Sequence, residues 1–426
     1  MKANIVTAIM LSLSSVLGEK EYNYLPKDYG ILPPSPSVSD LLAVEDFDVD
    51  YHQGRPSISF TLYSVNDGDL TVPITMVYQS GGIRVGQKPS NLGVGWNLSA
   101  SGVIGRSVVG VPDEVNLNTR SGAGLRGLYH LTEEDKEFRD FYIKQNASYD
   151  PSNYITYQKL IQPIADKGKR YYNGLSDMAN DIYNVCAPGL NATFVKDEQG
   201  NMAISSAEPI KVNETDALFF STTDILNSQS IKYHFSTHEN SKFIYTHGVR
   251  TSGGMLTDTC VYVSAVHLTE MSNIQNDKIS FSYIDGKPVM HGGASESETY
   301  CINPDYQSRF GGHQVGSSCG ITTPKLLQSI SGRGVKVNFY YSAQKAHYLP
   351  QMIDSITVCY VKTPNIPVKT FKFQYNSKNF LVGVSCNGQK LYSFEYYNIQ
   401  HRNGVDFGGF PNDRNLIGKY LMLGTN

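Results

Sequence analysis

The run Gly316-Ser317-Ser318-Cys319-Gly320 has the Gly-x-Ser-x-Gly spacing of a nucleophile elbow and is the motif of this chain nearest to covalent catalysis. Such an elbow works because a strand-to-helix turn exposes the serine beside an oxyanion hole. Here the motif falls in a long polar loop between predicted strands, and the chain lacks the alternating β and α units that build elbows. His234 and His238 have the i, i+4 spacing of a helical zinc pair, but no Glu follows the first His and the context reads as strand. On a strand that spacing sets two rings on one face roughly 13 Å apart, too far for one metal ion. His291 and His313, near Cys301 and Cys319, are of the right types for a mixed metal site, yet their spacing is not compact. Cys301 and Cys319 also bracket a polar loop. A disulfide there would contribute about 3 kcal/mol in an exported chain, and the sequence leaves their pairing open.

The remaining reactive types have simpler uses. Glu133-Glu134-Asp135 reads as a helix start and Asp113-Glu114 as a solvated turn. Eight glycines between Gly81 and Gly110 surround the lone Trp96. A phosphate cradle would need Gly-Lys-Ser/Thr and a helix start after the glycines, and neither follows. Trp96 is therefore expected to be a core anchor, and Cys359, in the apolar run Ile356 to Val361, a small buried hydrophobe. No catalytic, cofactor or metal site is expected from these residues.

The elements that carry them are mostly strands. Ile58, Phe60 and Leu62 alternate up to Asn66-Asp67-Gly68, and Leu70, Val72, Ile74, Met76 and Tyr78 resume the alternation, the pattern of a hairpin. Thr132 to Gln145 reads as a helix that Thr132 caps, with Phe138, Phe141 and Tyr142 on one face and Asp135 where a capping box prefers Glu or Gln. Beyond Ser221 an ending recurs: Ile279-x-Phe281-x-Tyr283, Val337-x-Phe339-x-Tyr341, Phe371-x-Phe373-x-Tyr375 and Tyr392-x-Phe394-x-Tyr396. An apolar cluster precedes each, at Leu268, Leu326-Leu327, Met352-Ile353 and Phe380-Leu381-Val382. Turns between them use Asn276-Asp277, Gly332-Arg333-Gly334 and Asn387-Gly388.

Composition agrees with this reading. Among 426 residues are 29 Tyr and 18 Phe, which suit a pleated, half-buried surface. A net charge of -3 without a basic cluster draws the chain neither to nucleic acid nor to anionic lipid. Lys2 followed by apolar Ile5 to Leu17 and then Gly18 has the build of a signal peptide, too short to span a bilayer. Glu19 stands where a lipoprotein would need Cys, and no later transmembrane run follows. The expected layout is a signal peptide (1–18), an extended proline-containing leader (19–45) and a glycine-rich β module (46–125). A mixed segment with a helix at 132–145 (126–220) and repeated aromatic hairpins (221–426) complete it.

Asp50-Tyr51-His52-Gln53-Gly54-Arg55-Pro56 with Val72-Pro73-Ile74-Thr75-Met76 resembles the opening of large Rhs/YD-repeat proteins of the Bacteroidota type. Gly93-Val94-Gly95-Trp96-Asn97-Leu98 and Gly102-Val103-Ile104-Gly105-Arg106 are similar to the same proteins and to the N-terminal region of Tc-toxin B components. The resemblance implies an exported or displayed β-shell protein and carries no catalytic residues in this region. No Asp-Pro-x-Gly core motif and no effector domain is present, so encapsulation and toxin activity do not transfer.

The expected fold is mainly β: antiparallel hairpins in large twisted sheets, as a sandwich or partial shell, with one or two satellite helices. The expected function is that of an exported, non-enzymatic structural or interaction module, secreted or in the cell envelope, engaging a protein partner or a longer Rhs-type chain. A glycan-binding surface protein, using the abundant Tyr, is the second reading, and a serine hydrolase using Ser318 the third.

Overall fold

The first hairpin shows the rule by which the chain folds. In β2 (Arg55–Asp67) and β3 (Leu70–Gln79) Val65, Leu70, Val72, Ile74 and Met76 are buried. Along β3 buried and accessible positions alternate, as a period of two dictates. Gly68, at φ +54°, makes the turn that puts Asp67 opposite Leu70. Each fully buried Val, Ile or Met contributes about 1.5–3 kcal/mol.

These features come from a computed structural model that describes residues 48–50, 55–79, 88–118, 124–147, 167–168, 170, 175–214, 222–246, 257–299 and 312–396. The chain divides into units 1–48 and 49–426. The signal peptide, the leader, Cys301 and the closing residues 397–426 lie outside the described residues.

β2, β3 and β4 (Trp96–Ser99) form an antiparallel sheet, and the short β1 (Asp48–Asp50) adds to its β2 edge. The large sheet begins with β5 (Val103–Ser107). A segment follows containing the two-stranded pair β6 (Asn116–Asn118) and β7 (Gly124–Arg126), then the helix α1 (Glu133–Ala147). The large sheet resumes with β8 (Ile182–Ala187), β9 (Leu190–Lys196), β10 (Met202–Ser206), β11 (Lys211–Glu214) and β12 (Thr223–Leu226). Two long strands, β13 (Lys232–Thr246) and β14 (Thr257–Ser272), form its spine. Beyond them run β15 (Lys278–Asp285), β16 (Val289–Thr299), β17 (Gly312–Thr323), β18 (Lys325–Ser331), β19 (Val335–Tyr341), β20 (Ile353–Tyr360), β21 (Thr363–Tyr375), β22 (Leu381–Cys386) and β23 (Gln389–Ser393).

The large sheet branches at its spine. β13 and β14 pair along their length, and the other edge of β13 takes β12 near Tyr233 and β17 near Lys242. The free edge of β14 takes β5 at Ala265–His267 and β15 at Glu270–Ser272. From β5 the sheet continues through β8 and β9 to β10. From β15 it continues through β18, β19, β20, β21 and β22 to β23. All these pairings are antiparallel. The sheet stays open, because β5 already holds β14 and β8 on its two edges and no ladder among the described residues brings β23 back to it. The smaller sheet packs over the large one: Val72, Ile74 and Met76 share a core with Ile279, Phe281, Val337, Phe339 and Ile356. The architecture of the described residues is a sandwich of antiparallel sheets with the helix α1 beside it. No helix among the described residues is long and apolar enough to cross a membrane.

The recurring endings have a common geometry. Tyr283 donates its hydroxyl to the carbonyl of Leu268 (2.7 Å), Tyr341 to Leu327 (2.9 Å), Tyr375 to Ile353 (2.8 Å) and Tyr396 to Leu381 (2.6 Å). Every acceptor belongs to the apolar cluster that opens the same hairpin. The tyrosine thus latches the end of one strand to the start of its partner, and burial raises the pKa of each phenol, that of Tyr396 to about 12.

Two loops join the sheets. Gly93 and Gly95 take positive φ, and Val94 N–H donates to Asn379 O (3.2 Å). A Cβ on Gly93 would stand 3.0 Å from that carbonyl, so the glycine permits the approach. Trp96 is buried as expected, against Phe60, Tyr78 and Phe394, and donates Nε1–H to Tyr396 Oη (2.8 Å). At the hairpin tips Arg333 N–H donates to Asp67 (2.8 Å) and Arg333 Nη2 to Asp277 (3.1 Å), tying three turns together.

The helix begins where Thr132 caps it. Asp135 N–H donates to Thr132 Oγ1 (3.2 Å) and Thr132 N–H donates to Asp135 Oδ2 (3.1 Å), so Asp completes the capping box that sequence reading left partial. Phe138 is its buried anchor.

Candidate functional site

Among the described residues one cluster of polar side chains lies inside the large sheet and another lines a cleft on its surface. The interior cluster starts from alternation: on β5 Ile104 and Arg106 are buried while their neighbours are more accessible. Arg106 lies opposite Tyr183, which in turn lies opposite Phe194 and stacks on it at 5.0 Å. Arg106 and Lys196 each approach the Tyr183 ring, at 5.7 and 5.1 Å. Lys196 is fully buried and pairs with Glu214 at 2.5 Å.

Arg106 Nε donates to Asp181 (2.7 Å), and its two terminal nitrogens engage Glu114. Asp181 also accepts from Val109 N–H (2.8 Å) and Asp113 N–H (3.2 Å), while Asp113 accepts from Asp181 N–H (3.1 Å). Asp177 accepts from Val111 N–H (2.7 Å). Two carboxylates, Glu114 and Asp181, therefore meet one guanidinium, and Asp177 and Asp181 bind the backbone of residues 109–113. Burial and the neighbouring Asp181 push Asp113 up to about 7. Burial likewise raises Asp177 and Asp181. Cys260, buried near Glu114, is pushed up to about 11 and is a poor nucleophile. The cluster fastens the segment between β5 and β8 to the sheet, and the sequence reading of Asp113-Glu114 as a solvated turn is corrected: Asp113 is fully buried.

The surface site is a cleft of about 430 Å³. Its floor is one rung across four strands, where Val289 of β16 faces Thr322 of β17, Thr322 faces Ser241 of β13 and Ser241 faces Tyr262 of β14. Ser241 and Thr322 share a hydrogen bond of 2.7 Å, and Tyr262 bonds to Ser241. Pro89, Pro324 and Pro350 wall the cleft, and Lys88, Glu239 and His291 edge it. Glu239 accepts from Lys325 N–H (3.0 Å) and pairs with His267 Nε2 (3.3 Å), and Lys88 donates to Met290 O (2.7 Å). Burial, then Lys88, lowers the pKa of His291, which favours the neutral ring.

The residues first singled out do not assemble. Ser318 is not in a loop but within β17, opposite Gly293 of β16. An extended, laddered backbone is not a strand-to-helix turn, so the spacing lacks the geometry an elbow needs. Polar, glycine-rich residues paired on a long hairpin carry no apolar alternation to announce a strand, which is why this one read as loop. Cys319 and His313 lie on the same strand, at backbone positions paired with Gly292 and Glu298. His234 sits on β13 as expected and bonds to the facing Asp224 (2.6 Å). Bulges between His234 and Thr237 break the simple period that would align it with His238. Among the described residues no group of three or more His, Cys, Asp or Glu could hold a metal ion. Cys359 is buried. Sequence reasoning missed Arg106, Asp181 and the cleft rung. The inward position of Arg106 in the alternation Ile104-x-Arg106 was the one signal available.

No family of known sequences and no curated protein matches the chain. Among solved structures it is similar to a TcdB2-TccC3-Cdc42 complex (TM-score 0.34, 11% identity), covering 79% of this chain and 15% of that one. It is similar to the N-terminal domain of effector protein SpvB from Salmonella typhimurium strain LT2 (TM-score 0.33, 10% identity), covering 80% of this chain and 99% of that one. The Tc holotoxin pore of Photorhabdus luminescens gives a TM-score of 0.35 at 10% identity, over 79% of this chain and 15% of that one. The chain thus spans about a seventh of the Tc chains it is similar to.

Proposed function

We propose that this chain is an exported, non-enzymatic β-scaffold that acts by contact with another protein or with a longer Rhs-type chain. The observation that carries this reading is where its reactive side chains go. Arg106, Asp181, Lys196 and the hairpin tyrosines are all spent inward, holding backbone or one another. Outward, the β20–β21 hairpin presents Tyr360, Val361, Ile366 and Val368, all exposed. A cluster of large apolar residues at one hairpin suits a protein contact. Export rests on Lys2 and the apolar run to Leu17.

The test is cross-linking in the native envelope with the wild type and with a Tyr360→Ser, Ile366→Asp double variant. The expected result is a discrete cross-linked protein that the double variant loses while its thermal midpoint stays unchanged. Equal cross-linking by both would overturn the assigned surface, and a mature N-terminus still starting at Met1 would overturn export.

A further inference from the structure

We propose that the cleft floored by the rung Val289–Thr322–Ser241–Tyr262 is a binding site for a neutral saccharide unit. This goes beyond the scaffold role and does not depend on it.

Main-chain recognition is closed there. At Asn240–Ile244 β13 is already paired with β14 on one edge and β17 on the other, so an extended peptide finds no free ladder edge. What the cleft offers is side chains. Tyr262, Ser241 and Thr322 form a line of hydroxyls, and each hydroxyl both donates and accepts. The neutral ring of His291 adds one donor and one acceptor. A sugar face has the same mixed character, with hydroxyls at its edge and C–H groups on its plane. Pro89, Pro324, Pro350 and Val289 supply apolar surface for that plane.

The charges at the rim do not select an ion. Glu239 is engaged by Lys325 N–H and His267, and Lys88 by the carbonyl of Met290. One carboxylate and one ammonium leave no net charge at the rim, which disfavours a phosphate or a cation and suits an uncharged ligand.

The strand position beside the floor is open. One step of two residues from Thr322 along β17, on the same face, stands Gly320, between His291 of β16 and Phe243 of β13 in the ladder. A Cβ there would meet nothing nearer than Lys242 O at 3.6 Å and His291 O at 3.8 Å. The absence of a side chain at this rung is therefore not forced by packing. A larger residue would fit the strand and fill space beside the floor.

The test uses the full chain on an array of neutral, sialylated and sulfated glycans, followed by titration calorimetry with the neutral saccharides that score. The expected outcome is binding of at least one neutral mono- or disaccharide. Gly320→Val, which fills the hollow, and Thr322→Val, which removes a hydroxyl, should each weaken it by about tenfold. Both variants should keep the wild-type circular dichroism. Three outcomes would overturn the assignment: no neutral saccharide binding up to about 10 mM, binding confined to sialylated or sulfated glycans, or equal affinity in the wild type and Gly320→Val. Capture of a proline-rich control peptide by the same cleft, lost in Gly320→Val, would overturn it in favour of a peptide site.

Discussion

The row of hairpins from β14 to β23 and the segment between β5 and β8 solve one problem with different chemistry. Each must fasten chain that local pairing alone would leave loose. The hairpins do it with neutral groups, a tyrosine hydroxyl on a backbone carbonyl, repeated four times. The inserted segment does it with charge, pairing Arg106 with Glu114 and Asp181 while Asp177 and Asp181 hold the backbone of residues 109–113. A neutral latch contributes modestly, repeats well and is indifferent to pH below the phenol's range. A buried ion cluster contributes its full strength only while complete, because each partner removed leaves an uncompensated charge. The difference teaches that this sandwich has one region whose stability is spread over many small contacts and one where it is concentrated in a few side chains.

Removing Arg106 should break the comparison most sharply. Its guanidinium is almost fully buried, as is Asp181. Arg106→Met should cost about 3–5 kcal/mol in urea unfolding, the range for breaking a buried pair. A loss no larger than that of a latch would show that the cluster is not the concentrated region.

The second effect is in pH. Asp113 holds a pKa of about 7 against an ordinary 3.8, so the folded chain binds this proton more tightly than the unfolded one. Its contribution is fully present below about pH 4, is lost as pH rises to about 7 and is constant above that. The expected loss is on the order of 3 kcal/mol between pH 4.5 and 8. Asp224 and Glu198, held below their ordinary values by their partners, act in the opposite sense at acid pH. The difference between wild type and Asp113→Asn isolates the term. Parallel pH profiles of the two proteins would refute it.

The smallest effects belong to the latches. Tyr283→Phe and Tyr375→Phe should each cost about 1 kcal/mol, the costs should add because β18, β19 and β20 lie between the two strands, and neither should alter the pH profile between 5 and 8. A strongly non-additive pair would mean that the row behaves as one coupled unit.

Much of the hairpin row was legible because its signals are local. Alternation, Asp-Gly and Asn-Gly turns and the Phe-x-Tyr endings lie within a few residues of one another. Gly332-Arg333-Gly334 joins β18 to β19 as expected, and Asn387 and Gly388, both at positive φ, join β22 to β23. Thr132 likewise announced its helix. The partners of those tyrosines were half visible: the apolar clusters could be named, but the carbonyl that each hydroxyl reaches could not. Of the ion cluster only the inward place of Arg106 was legible, since Arg106 and Asp181 are 75 residues apart and nothing in either neighbourhood marks the other. The cleft rung draws on four strands whose order only the ladder reveals, and Ser318 was placed in a loop because its strand carries glycines and polar residues where apolar ones would have marked it.

Trp96 and Tyr396 share a hydrogen bond across 300 positions of chain, and the same hydroxyl goes on to the carbonyl of Leu381. During synthesis at about 5–20 residues per second, the indole made early must wait on the order of 15–60 s for its acceptor to leave the ribosome. Until then the glycine turn at Gly93 and the apolar face of the first hairpin have no cover. A nascent chain of this kind emerges with its opening module unfinished, a period in which a chaperone holding the first hundred residues would change the yield of folded protein more than one acting on the completed chain.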